Sequence, residues 1–195
     1  MLELRSIVYS YDQINVLNKL SLSLPSAKIH GLIGLNGAGK TTLLNCIYGF
    51  LTPESGTITW NEKALDRRDV AFLETTNFFY SDITGREYLS IFPDKSGVFD
   101  LNSWQTLLQL PLDELIEEYS TGMKKKLALL AILKLDRQVI ILDEPANGLD
   151  LESNHLLEKI MRILCDRGKT IILTSHIISS LLTICDEVHW LKAGK

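Results

Sequence analysis

The chain has 195 residues, 46% of them apolar and 23% charged, which suits one globular domain that buries its own core without cross-links. Its 20 Lys and Arg against 24 Asp and Glu leave a net charge of −4, so a broad basic face is excluded and no nucleic-acid partner is expected. Cys46, Cys165 and Cys185 make an odd count without metal-like spacing and read as reduced, buried thiols of a cytosolic protein. The apolar stretch 170–185 is too short and too polar to span a bilayer, and Glu3 and Arg5 close behind Met1 give no apolar run, so no secretory leader is expected.

In chain order, residues 2–9 suggest a strand, and 20–24 alternate strictly as a half-buried strand ending at Pro25. Residues 28–35 are an apolar run that stops at a glycine cluster. Residues 41–48 then take helical spacing, with Gly49 as the C-cap. A turn at 53–56 leads into a strand over 57–60. Between 84 and 120 the apolar positions have helical spacing punctuated by Pro93, Gly97 and Pro111, which suggests short helices forming a subdomain. After Ser120, a candidate N-cap, a helix runs to about Leu135. Residues 139–142 form a buried strand, 151–166 a helix closed by Gly168, 170–173 another buried strand, 177–184 a helix, and 188–191 a last strand. Continuous apolar strands between amphipathic helices predict a mainly parallel sheet covered on both sides, with the alternating N-terminal strands as an attached antiparallel layer.

Gly34-Leu35-Asn36-Gly37-Ala38-Gly39-Lys40-Thr41 fits G-x-x-x-x-G-K-[ST] between an apolar strand and a helix, the context that a phosphate-binding loop requires. The glycines let backbone N–H groups turn toward phosphate oxygens, and the following helix adds the positive end of its dipole. Lys40 supplies a point charge to the terminal phosphates, and Thr41 offers a hydroxyl to Mg²⁺. The strand over 139–142 ends in Asp143 and Glu144, and Pro145 blocks its continuation. Ligands of open α/β sheets bind at strand carboxyl ends, so Asp143 is expected at Mg²⁺ and Glu144 as the base that polarises an attacking water. His176 ends a neighbouring strand and would lie at the same edge, within reach of a γ-phosphate. Asp150 reads first as the N-cap of the next helix.

The loop, the segment Tyr119-Ser120-Thr121-Gly122-Met123 ahead of an apolar helix, and the acidic strand just after it resemble, in that order, the ATP-binding cassette of ABC transporters. The resemblance covers nearly the whole chain, read as one domain over 1–195 with the helical subdomain at 84–120. It implies a P-loop NTPase fold and a cassette that binds and hydrolyses ATP with Mg²⁺. By this resemblance the Walker A loop runs from Gly34 through Thr42, the signature from Tyr119 to Met123, and the Walker B strand from Val139 to Glu144. The D-loop runs from Asn147 to Asp150, the switch histidine is His176, and Tyr11 stacks on adenine. The family also implies a head-to-tail partner cassette, identical or different, whose ATP meets Ser120, Thr121, Gly122 and Met123. It further implies a separate membrane permease, so the subunit is expected at the inner face of the cell membrane.

Two departures stand out. Thr75 occupies the position of the family's Q-loop glutamine, with a side chain too short to bridge as glutamine does. The segment 84–119 is short for a helical subdomain, and the chain ends soon after the last core strand, so no C-terminal regulatory domain is expected. The leading expectation is an ATPase driving an exporter of drugs, peptides or similar compounds. A non-transport ABC ATPase and a nucleotide-sensing module are the alternatives. The 103 residues between Lys40 and Asp143 leave no room for the long coiled coil of chromosome-structuring members, and Glu144 and His176 argue against a non-catalytic sensor.

Overall fold

The computed structural model describes residues 1–94, 97, 99–175 and 177–195. Two strands, β1 (Leu2–Tyr11) and β2 (Ile14–Leu24), form a long antiparallel hairpin. β3 (Ile29–Ile33) runs into the glycine loop and α1 (Lys40–Tyr48), which Gly49 closes in the left-handed conformation, as its lack of a Cβ permits. β4 (Ser55–Trp60) and the short β5 (Lys63–Ala64) complete the antiparallel sheet in the order β2-β1-β4-β5.

The parallel sheet begins with β6 (Val70–Leu73) and continues with β7 (Val139–Asp143), β8 (Thr170–Thr174) and β9 (Glu187–Trp190), in the order β6-β7-β8-β3-β9. Residues 84–120 carry α2 (Gly85–Ser90), α3 (Leu101–Leu108) and a 3₁₀ turn, Ile116–Glu118. α4 (Thr121–Lys134), α5 (Leu151–Asp166) and α6 (Ile178–Ile184) are the remaining helices among the described residues. None is long and apolar enough to cross a membrane.

Sheet alternation divides the interior into two cores. Val139, Ile141 and Ile172 face α1 and the antiparallel sheet, where they meet Leu4, Leu24, Leu43 and Leu44. Ile140, Leu142, Ile171 and Leu173 face the other way, against Leu127, Leu130, Leu157 and Ile160 of α4 and α5. A strand buried on both faces must be apolar throughout, which is why β7 and β8 show no alternation. The P-loop NTPase architecture, with a parallel sheet and an attached antiparallel layer, is the expected one. The sequence reading missed β6, a four-residue strand without turn signals of its own, and β5. It also began β2 six residues late, because Lys19, with φ of 52°, breaks the alternation there.

The segment 84–120 shares the second core. Tyr88, Leu89, Leu108, Leu112 and Tyr119 join the α4 and α5 side chains in one cluster. Thr84 caps α2 through a capping box with Glu87. The Tyr119 hydroxyl donates to Pro111 O at 2.6 Å and lies so near Gly85 that a Cβ there would stand 2.5 Å from it. Gly85 is thus required by close approach. Gly85→Ala should destabilise the protein by about 1–3 kcal/mol through overpacking. In denaturant melts, the double variant Gly85→Ala/Tyr119→Phe should cost less than the two single changes summed; additive costs would contradict this origin.

Candidate nucleotide site

The parallel register brings the motifs to one level. Asp143 pairs with Thr174, and Thr174 pairs with Leu32, so the end of β7 stands level with the end of β3. β8 alone separates them, which sets their strands about 10 Å apart. Two residues beyond Leu32 the glycine loop begins. Gly37 and Gly39 take φ of 79° and 99°, and Ala38 N donates to Leu35 O at 3.0 Å, curling the loop over the start of α1. The Lys40 ammonium lies across the loop, donating to Gly34 O at 2.7 Å and Leu35 O at 3.2 Å. Leu35, Asn36 and Gly37 are exposed at the tip, Ala38 and Thr42 are buried, and Thr41 faces out.

The floor of the loop is fixed from outside. A Cβ on Gly34 would meet Leu191 O at 2.5 Å, and one on Gly39 would meet Val16 and Leu17 of β2 at 3.2 Å. Gly194 N donates to Ala38 O, and Asn18 N to Gly194 O. The antiparallel hairpin therefore abuts the loop. Tyr11 lies at the turn end of that hairpin, about half exposed, with its ring edge-on to Tyr9.

Asp143 is buried, and two hydroxyls hold its carboxylate. Thr174 at the end of β8 donates to Oδ1 at 2.5 Å, and Thr75, just past β6, donates to Oδ2 at 2.9 Å. The Thr174 hydroxyl also accepts from Glu144 N at 3.0 Å. Glu144, with φ of 52°, turns off the strand line, and its carboxylate accepts from the Asn147 amide at 2.5 Å. The short side chain at position 75 thus reaches Asp143 directly. Its carbonyl, with that of Glu74, accepts from the buried Lys125 ammonium at 3.2 and 3.1 Å. Burial pushes Lys125 below the usual lysine value, while the negative charges of Asp143 and Glu144 pull it back up. His176 lies outside the described residues.

The signature segment starts α4. Ser120 caps it, its hydroxyl accepting from Met123 N at 3.2 Å. Thr121 and Gly122 pack against Gly148: a Cβ on Gly122 would stand 3.1 Å from Gly148 O. Asp150 caps α5 by accepting from Ser153 N at 2.7 Å, a bond that holds its carboxyl below the usual range. Ser120, Thr121, Gly122, Met123 and Asp150 therefore form a second surface. It joins the Asp143 region through Lys125, Asn147 and Thr75, which line one open cavity of about 440 Å³.

A recessed carboxylate with hydroxyl donors, an ammonium across a glycine loop and a neighbouring exposed threonine hydroxyl suit a Mg²⁺-bound nucleoside triphosphate. Sequence reasoning overlooked Thr174 and Lys125 as supporting residues, and placed Asn147 in the D-loop without its bond to Glu144. Of the first two, only Lys125 left a trace, as a cation four residues before Leu129 on the buried side of α4.

The ABC transporter family profile matches residues 17–147. The Nod factor export ATP-binding protein I of Rhizobium meliloti is 33% identical over 211 residues, covering all of this chain and 62% of that protein. The bacitracin transport ATP-binding protein BcrA of Enterococcus faecalis is 30% identical over 207 residues, covering all of this chain and 67% of the relative. Among solved structures, an ATP-binding subunit of an ABC transporter superposes with a TM-score of 0.92 at 29% identity, over all of this chain and 87% of that one. The chain spans 60–62% of the length of three Nod factor export relatives that it matches.

The Asp143 clamp makes a stability prediction. Thr174→Val removes both a donor to a buried carboxylate and the acceptor for Glu144 N, and should cost about 1–3 kcal/mol. Thr174→Ser keeps the hydroxyl and should cost clearly less. Equal midpoints for the two variants in urea melts would show that the hydroxyl is not the stabilising group.

Proposed function

Since the chain belongs to the ABC transporter family, we propose that it is the ATP-binding and ATP-hydrolysing part of an exporter, driving cargo through a separate membrane permease. The observation that carries this reading is the common level of the glycine loop and the clamped Asp143 at the carboxyl edge of one parallel sheet. The outward direction follows the relatives, which are named for Nod factor export and for bacitracin and lantibiotic transport. A drug, peptide or similar compound is the proposed class of cargo.

The loop from Gly34 to Thr42 cradles the phosphates of ATP, and Lys40 swings from its own loop carbonyls to the β- and γ-phosphates. Tyr11 offers its exposed ring to adenine. Thr41 and Asp143 would hold Mg²⁺, which when bound offsets phosphate charge. Thr75 and Thr174 hold the Asp143 carboxylate in place through their two hydroxyl donors. Glu144 orients and deprotonates the attacking water, with Asn147 fixing its carboxylate. His176, as the switch histidine of the family pattern, acts on the γ-phosphate.

Ser120, the amide of Gly122 and their neighbours Thr121 and Met123 face the ATP of a second cassette, identical or different, and Asp150 lies on the same contact surface. The paired cassettes sit on the permease at the inner face of the membrane.

Lys40→Ala should abolish Mg·ATP binding while the chain still folds, with only the small loss of stability expected from its bonds to Gly34 O and Leu35 O. Glu144→Gln should lower hydrolysis by at least about 10²-fold yet still bind ATP. With Mg·ATP, it should elute from gel filtration as a dimer. A Lys40→Ala protein that hydrolyses ATP like the parent, or a Glu144→Gln protein with parental turnover, would overturn the assignment.

A further inference from the structure

At the end of the parallel sheet away from the glycine loop, His30 of β3 lies beside Glu187 and His189 of the edge strand β9. His30 pairs with Glu187 in the register, and Leu32 with His189, so the three side chains gather on one side of the β3–β9 ladder. His30 is almost fully buried, whereas His189 and Glu187 are partly exposed and leave the cluster open to solvent.

Three donor atoms converge. His189 Nε2 is 3.3 Å from His30 Nδ1; Glu187 Oε2 is 3.6 Å from His30 Nδ1 and 3.9 Å from His189 Nε2. One point lies about 2.1 Å from all three atoms, within the range of zinc bonds to imidazole nitrogen and carboxylate oxygen. We propose that His30, Glu187 and His189 form a binding site for a divalent transition ion of the zinc class, with water completing the coordination.

The surroundings are already arranged for this. His30 Nε2 lies 2.8 Å from Pro25 O, a carbonyl that can only accept, so the ring proton sits on Nε2 and the Nδ1 lone pair points into the cluster. Glu187 gives its other oxygen, Oε1, to the Lys28 ammonium at 2.6 Å, which leaves Oε2 facing the two rings. A metal-binding histidine donating its outer N–H to a backbone carbonyl, and a metal-binding carboxylate steadied by a cation, are the supports that orient such ligands. Burial lowers both imidazoles from their usual value, against the raising pull of Glu187. Two imidazoles and one carboxylate favour zinc and its neighbours over Mg²⁺ or Ca²⁺, which prefer all-oxygen sites.

The ion would act as a clasp. β9 is a four-residue edge strand, and directly after it Leu191 O and Gly194 pack against the floor of the glycine loop. Fastening β9 to β3 steadies that floor without touching the nucleotide.

The test uses the chelator-stripped chain, titrated with Zn²⁺ by calorimetry and with Co²⁺ by visible absorption. One equivalent should bind, with a cobalt spectrum of nitrogen and oxygen ligands and no thiolate band. Zn²⁺ should raise the melting temperature. His189→Ala and Glu187→Gln, both at partly exposed positions, should each weaken binding by at least about 10²-fold, more than loss of a mere supporting group, and abolish the thermal shift. Absence of stoichiometric binding by the unmutated chain, a thiolate band, or parental binding by both variants would each overturn the site. The cobalt spectrum of the unmutated chain decides even if a variant fails to fold.

Discussion

A carboxylate buried at the end of a strand is stable only if its surroundings supply hydrogen-bond donors, and Asp143 imposes that demand on everything around it. β7 is flanked on both sides in the sheet, so donors can come from both neighbours: Thr75 past β6 and Thr174 on β8. The same hydroxyl of Thr174 receives Glu144 N, which helps turn the next carboxylate away from the strand line. Two acidic residues adjacent in sequence thereby acquire different environments, one enclosed and one at the open edge. That difference suits the proposed roles, in which one would hold a cation while the other handles water.

The clamp extends into the helical part of the chain through cations of α4. Lys125 binds the carbonyls of Glu74 and Thr75, and Lys134 donates to Leu89 O at the end of α2. One rigid helix thus touches the Thr75 turn at one end and the 84–120 segment at the other, while its first residues pack on Gly148. A shift of the Thr75 turn would be felt at the start of α4. The Thr75 hydroxyl reaches Asp143 directly, and the attachment to α4 passes through the backbone carbonyls of Glu74 and Thr75.

The opposite end of the sheet is held differently. There the Lys28–Glu187 pair and the two histidines tie β3 to β9, and Asp186 binds both Ile29 N and Arg162. Exposed pairs of this kind contribute little singly, but here several converge on one short edge strand whose continuation supports the glycine loop. Edge strands have one unpaired side, and side-chain fastening of this sort limits their fraying.

The sequence by itself determined the motifs and the fold class, because both depend on local chemistry. The glycine loop has a fixed spacing between strand and helix, β7 and β8 are continuous apolar runs, and Ser120 and Asp150 are caps that act within three residues of themselves. β6 was illegible, since four apolar residues after a 3₁₀ turn carry no periodicity; only pairing with β7 makes them a strand. The same is true of the groups that complete the site. Thr75 and Thr174 reach Asp143 across 68 and 31 residues of chain, and His30 meets Glu187 and His189 across nearly the whole length. Such contacts follow from parallel strand order, in which neighbours in space are distant in sequence. The register of a parallel sheet is set by packing on both of its faces, and that was decided only in the tertiary structure.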